Sequence, residues 1–228
     1  MSRLPLHLLL AFGVVPAAGF CLAAEPPPTP IEATVAASLK TAQSERDRLL
    51  AWHQAAESYL AAEARREDTL RAALSGMQRL PPSLMEADGG AWETARSGLN
   101  VGELNKLLGE WETALHQAAK TGLVDSTSAR ALKDSLGKAR KALPSFDREA
   151  PIKPSANDWN KRRDKLYDVL LNTQTVIGAV LRDSETSVHL LRRQSREVLD
   201  RLDGLERLIQ VLAPTHHTPH ASGRGGTP

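Results

Sequence analysis

One cysteine in 228 residues excludes a disulfide scaffold and any thiolate metal cluster. Aromatic residues make up only 4% of the chain and β-branched residues are few, which argues against a β-sandwich or barrel. Charge of one sign is missing as well. The 29 Lys and Arg stand against 27 Asp and Glu, so the chain is neither an acidic disordered tail nor a strongly basic nucleic-acid binder. There is no GxxxxGKS/T loop, GxGxxG, HExxH, CxxC or GxSxG. No catalytic residue and no cofactor is assigned on this basis. Catalytic triads assemble from distant positions, so missing motifs weaken an enzyme reading without excluding it.

The first two dozen residues read as an address rather than as fold. Arg3 supplies a short positive region, and Leu6 to Val15 is an apolar run of about 10 residues, short for a membrane span. Pro16 breaks the run, and Ala23-Ala24 offers small residues for cleavage before Glu25. This is the anatomy of a bacterial secretory signal peptide over residues 1–24. Two rival readings use the same segment. One makes Cys21 a lipidated cysteine, opposed by Phe20 where a small residue is needed; the other keeps Leu4 to Ala24 as an uncleaved anchor. Cleavage would remove Arg3 and Cys21, leaving a cysteine-free chain whose charge is one unit below the +2 of the whole. Such a chain is expected to be periplasmic or secreted, with no nucleic-acid partner and no transmembrane helix.

Residues 25–30, with four prolines, form a semi-rigid extended spacer. A helical domain over 31–213 follows, and residues 214–228, rich in Gly, His, Thr and Pro, are expected to be a disordered tail. In the first long helix Val35, Leu39, Ala42, Leu49, Ala56, Leu60, Leu70, Leu74 and Met77 recur at three- and four-residue steps. Arg46, His53, Glu63 and Glu67 occupy the missing beats, and Pro81-Pro82 ends the helix. Asn100 with Glu103 reads as a capping box for a second helix carrying Val101, Leu104, Leu108, Trp111 and Leu115, with Gly122 at its end. Ser126 or Ser128 caps a third, shorter helix that Pro144 stops, with a loop to Pro154. Ser155 and Asp158 start the last and longest helix, whose stripe runs through Leu166, Leu170, Ile177, Leu191, Leu202 and Leu212. Its phase shifts between Ser184 and Leu191, which predicts local unwinding or a kink near Asp183. The expected fold is all-α. It is an elongated coiled-coil-like bundle of two long antiparallel amphipathic helices, with two shorter helices closing one end.

Three glutamate–histidine pairs stand four residues apart: His53/Glu57, Glu112/His116 and Glu185/His189. Each pair shares a helix face, and three such faces turned inward would surround a divalent metal. Solvated surface pairs are the plainer reading, and no metal site is assigned. Lys161, Arg162, Arg163 and Lys165 form the densest basic cluster, between Trp159 and Tyr167. Cations at a helix start oppose the macrodipole, so an anion there would relieve them; Asp158, Asp164 and Asp168 can do the same. The four tryptophans, spread over four segments, read as core or groove anchors.

The features together describe an exported, non-enzymatic interaction or scaffold protein of the bacterial cell envelope. A periplasmic holdase-type chaperone is the alternative, and a metal-binding bundle or enzyme a second one. The polar beats at Arg46, His53, Glu63, Glu67, Ser184 and Ser195 break both long stripes. Polar residues at such positions set register or lie at wet interfaces, which predicts self-association or a protein partner.

Overall fold

The computed structural model describes residues 29–85, 89–151 and 159–213. The signal segment, most of the proline spacer, the start of the last helix at Ser155 to Asp158, and the tail lie outside the described residues. Among these the chain is all-α, with no strand. α1 spans Pro30–Gln78, α2 Gly90–Arg96, α3 Val101–Lys120, α4 Ser126–Glu149 and α5 Trp159–Leu212; a 3-10 turn, Pro81–Met85, follows α1. At 1.5 Å per residue the 49 residues of α1 reach about 74 Å and the 54 of α5 about 81 Å.

The helix ends follow from side chains able to satisfy orphan backbone groups. Thr29 caps α1 in a reciprocal box, its Oγ1 accepting from Glu32 N at 3.3 Å while Thr29 N donates to Glu32 Oε2 at 2.7 Å. Asn100 Oδ1 accepts from Glu103 N, as its spacing predicts, and Gly122 ends the α3 turn at φ +72°. α4 is capped by Asp125, one residue before the expected serine, whose Oδ1 accepts from both Thr127 N and Ser128 N. At the far end of α1 the carbonyl of Met77, left over at the helix terminus, accepts from Gln174 Nε2 on α5 at 2.9 Å.

α1 and α5 pack antiparallel along their lengths. The pairs Met77/Gln174, Glu63/Ser184, His53/Ser195 and Glu45/Arg201 follow one another up the seam. The two shorter helices do not simply close one end. α3 and α4 form an antiparallel hairpin laid along one half of the long pair, with α4 packed on α5 as extensively as α1 is. The shared core runs from Leu80, Leu84 and Trp92 at one end to Ala56, Leu123, Val124, Ala129 and Leu191 at the other. Beyond it α1 residues 30–51 and α5 residues 192–212 continue as a two-helix arm about 30 Å long, held by buried Ala42, Leu49, Ser195 and Leu202.

Two expectations are corrected. Pro144 does not stop α4; the helix continues to Glu149 with Pro144 exposed inside it. The five further residues place Phe146 edge-on to Trp92, ring centroids 6.2 Å apart, and bring the carbonyl of Ala150 to within 2.8 Å of Trp92 Nε1. Burial of Phe146 and satisfaction of a helix-end carbonyl outweigh the backbone bond that proline removes. The predicted unwinding near Asp183 is also absent, since α5 is helical without a break from Trp159 to Leu212. The phase shift instead widens the buried face where α5 lies between α1 and α4, burying Leu181, Ser184, Ser187 and Val188 on one stretch. Asp183 itself accepts a hydrogen bond from Ser135 of α4.

Candidate functional site

The polar beats of the two long helices meet one another. Glu63 lies on the α1 stripe with its side chain 0% exposed. Trp111 Nε1 of α3 donates to Glu63 Oε1 at 2.6 Å, and Arg66 Nη1 donates to Glu63 Oε2 at 3.0 Å. Ser184 Oγ on α5 sits 2.8 Å from both Glu63 Oε1 and Glu67 Oε1, so its single proton serves one carboxylate at a time. Burial raises the Glu63 carboxyl above its ordinary value, against the opposing pull of Ser184, Trp111 and Arg66. The Tyr59 hydroxyl, buried beside this group, is held protonated to higher pH, first by burial and then by the charge of Glu63.

About three turns further up the seam His53 Nδ1 lies 2.9 Å from Ser195 Oγ, and Ser195 Oγ lies 3.4 Å from Glu57 Oε1. The carboxylate faces the hydroxyl rather than the imidazole. A nucleophile relay needs the base between the other two, so this arrangement is a structural bridge between α1 and α5. On the other side of Glu63, Arg71 pairs with both Glu67 and Glu185, carrying the ion pairs across the seam.

The three Glu–His pairs are not brought together. His53/Glu57 lies at the arm's base. Glu112 pairs with Arg140 Nη1 at 2.6 Å, beside an open groove between α3 and α4 that His116 lines. Glu185 is engaged by Arg71, and His189 is exposed on α5. Among the described residues no three His, Cys, Asp or Glu side chains are arranged to hold a metal. The basic cluster is partly neutralised in place. Lys165 Nζ lies 2.9 Å from Glu149 Oε2 and holds that carboxyl below its ordinary value, with Arg162 adding to the effect, and Arg163 lies 3.8 Å from Asp164. Trp92, Trp111 and Trp159 are core residues and Trp52 is half-buried against the core, so none offers a ligand platform.

Exposed apolar side chains occur on both halves, with Met85, Tyr167 and Leu171 on the core half, but only the arm lacks the cover of the α3–α4 hairpin. Leu50, Leu199 and Leu208 are 43–45% exposed, and Ile31 and Val211 are more so near its tip. One side carries an open groove of about 700 Å³ between Thr34, Ala37, Ser38 and Thr41 on α1 and Leu205 and Leu208 on α5. The periodicity of both stripes was visible in the sequence, but not the point where the α3–α4 hairpin ends and the arm begins. Among the described residues no helix is long and apolar enough to cross a membrane. Searches of protein-family models, curated proteins and solved structures find no match to this chain.

Proposed function

We propose that this chain is an exported, non-enzymatic helical interaction or scaffold protein of the bacterial cell envelope, its arm being the part that docks. The observation that carries this reading is the two-helix arm, which continues past the four-helix core with large apolar side chains in solvent. A pair of amphipathic helices without a covering layer keeps part of its apolar surface free for a partner. The N-terminal segment, with its charged start, apolar run and Ala23-Ala24, supports export. The described residues begin at Thr29 and end at Ala213, both at the arm's tip.

The test is cell fractionation with N-terminal sequencing, followed by photo-cross-linking in intact cells. A start at Glu25 in the periplasmic fraction is expected. Cross-links should form from a photoreactive residue at Leu208 or Leu50 and not from one at Leu171, an exposed leucine on the core half of α5. Retention in the cytoplasm would overturn the export reading, and equal labelling at all three positions would overturn the arm's role.

A further inference from the structure

The open groove between α3 and α4 belongs to the hairpin alone, since no residue of α1 or α5 lines it. One wall runs from Glu112 to Ala119 and the other from Ser126 to Lys133, about 10 Å along each helix. Its volume is about 510 Å³. That is room for one small organic molecule, and the trough is too short to seat a helix of several turns. Its floor is apolar. Leu115 and Ala129 are core residues at its base, and Ala119 packs against the same core.

The walls carry an unbalanced charge. Between Ser126 and Phe146, α4 has Arg130, Lys133, Lys138, Arg140 and Lys141 against the single acid Asp134. On the opposite wall Glu112 is already engaged by Arg140 Nη1 at 2.6 Å. Arg130 and Lys133 both line the groove and are exposed, and among the described residues neither has a carboxylate within ion-pair distance. Three residues apart on one helix, they share a face.

We infer that this groove binds a small organic monoanion, its apolar body over Leu115, Ala119 and Ala129 and its carboxylate held by Arg130 and Lys133. Each part of that chemistry has its own cause. Two cations without partners draw an anion, and a guanidinium takes both oxygens of a carboxylate. The apolar floor draws carbon, which an inorganic ion would not cover. Glu112 at the far end of the trough opposes a second negative charge. The site is separate from the arm and does not depend on what docks there.

The test is calorimetric titration of the full chain with naphthoate at about 0.15 M salt, where distant surface charges are screened. Saturable one-to-one binding is expected. Arg130→Gln and Lys133→Gln should each weaken it at least threefold, and the two together at least tenfold. Lys138→Gln with Lys141→Gln removes the same charge from positions outside the groove and should leave affinity within twofold. Glu112→Gln, which frees Arg140 and removes the opposing charge, should tighten binding at least threefold, a gain that a damaged fold would not produce. Naphthylmethanol, the same body without the carboxylate, should bind at least tenfold more weakly, and inorganic phosphate should not displace naphthoate. Absence of saturable binding overturns the inference. So does binding indifferent to Arg130 and Lys133, an equal loss from the Lys138 and Lys141 pair, or equal affinity for the alcohol. Loss of binding in Leu208→Glu would place the probe on the arm and would also overturn it, while leaving the arm's docking role standing.

Discussion

The indole Nε1 of Trp111 on α3 lies 2.6 Å from Glu63 Oε1, and Ser184 Oγ on α5 reaches the same carboxylate oxygen at 2.8 Å. One oxygen thus joins α1, α3 and α5 at the level where all three are buried. A one-turn slip of α1 against α5 would strand the carboxylate, an indole donor and a hydroxyl away from water. The group therefore fixes register in a seam whose apolar residues, spaced alike on both helices, would tolerate several. Specifying register by a buried polar group has a cost in stability.

That cost can be separated from its benefit. Glu63→Gln keeps an oxygen for Trp111 and Ser184 while removing the buried charge, and Arg66, partly exposed, can turn outward. At neutral pH this variant is expected to be at least as stable as the wild type. Glu63→Ala leaves the indole and hydroxyl unsatisfied beside a void, and should lose about 2–4 kcal/mol. Urea unfolding of the three proteins decides. Near-equal stability of wild type and the alanine variant would show that the oxygen does not bind the three helices.

The same group predicts a direction with pH. The folded-state value of Glu63 is raised above its ordinary 4.5, so protonation favours the fold. That contribution is fully present below about 4.5 and is lost as pH rises through the folded value. Glu32, Asp125 and Glu149, whose values are lowered, act in the opposite sense and lose their contribution on acidification. They are common to both proteins, so the difference between Glu63→Gln and wild type isolates Glu63. The advantage of the glutamine variant should be largest at neutral pH and fall away towards pH 4.5. A difference that is flat with pH, or grows on acidification, would contradict a raised carboxyl.

Much of this architecture was legible in the sequence because it is written in periodicity. The stripes of α1 and α5 required each other, and Glu63, Glu67, Ser184 and Ser195 stood out as polar beats on apolar faces. Their pairing was not legible, since it depends on the register of two helices whose partner residues stand over a hundred positions apart. Trp111 as the third partner was hidden too, for it reads locally as one more apolar residue on α3. Pro144 misled for a different reason. Its local effect is to end a helix, and only contact with Trp92, some fifty residues earlier, gives Phe146 and Ala150 a reason to remain helical.

The α4 extension gives opposite predictions for two neighbouring positions. Pro144→Ala returns an N–H that can bond the carbonyl of Arg140, at an exposed site where no packing is lost. A gain of about 1–3 kcal/mol is expected, the share of proline's helix cost that removal recovers. Phe146→Ala empties a fully buried ring position and should lose about 3–5 kcal/mol, with the end of α4 fraying. Thermal melting monitored by far-ultraviolet dichroism checks both. Should Pro144→Ala destabilise the protein, α4 would end where the sequence alone places it.

The arm should be the least stable part of the molecule when it has no partner. It is a pair of helices with four buried residues along its length, two of them Ala42 and Ser195, and the core half adds the leucines, tryptophans and Phe146 of two further helices. Local opening costs least where burial is least. In hydrogen exchange at low protein concentration, amides of residues 35–50 and 195–210 should exchange well before those of 60–75 and 165–190. Leu202→Ala should speed exchange in the arm while leaving the main unfolding transition in place. Leu170→Ala, in the core half, should lower that transition by about 2–5 kcal/mol. Protection spread evenly along both long helices, independent of concentration, would mean that the arm is as firmly held as the core, and would remove the reason to expect anything to dock on it.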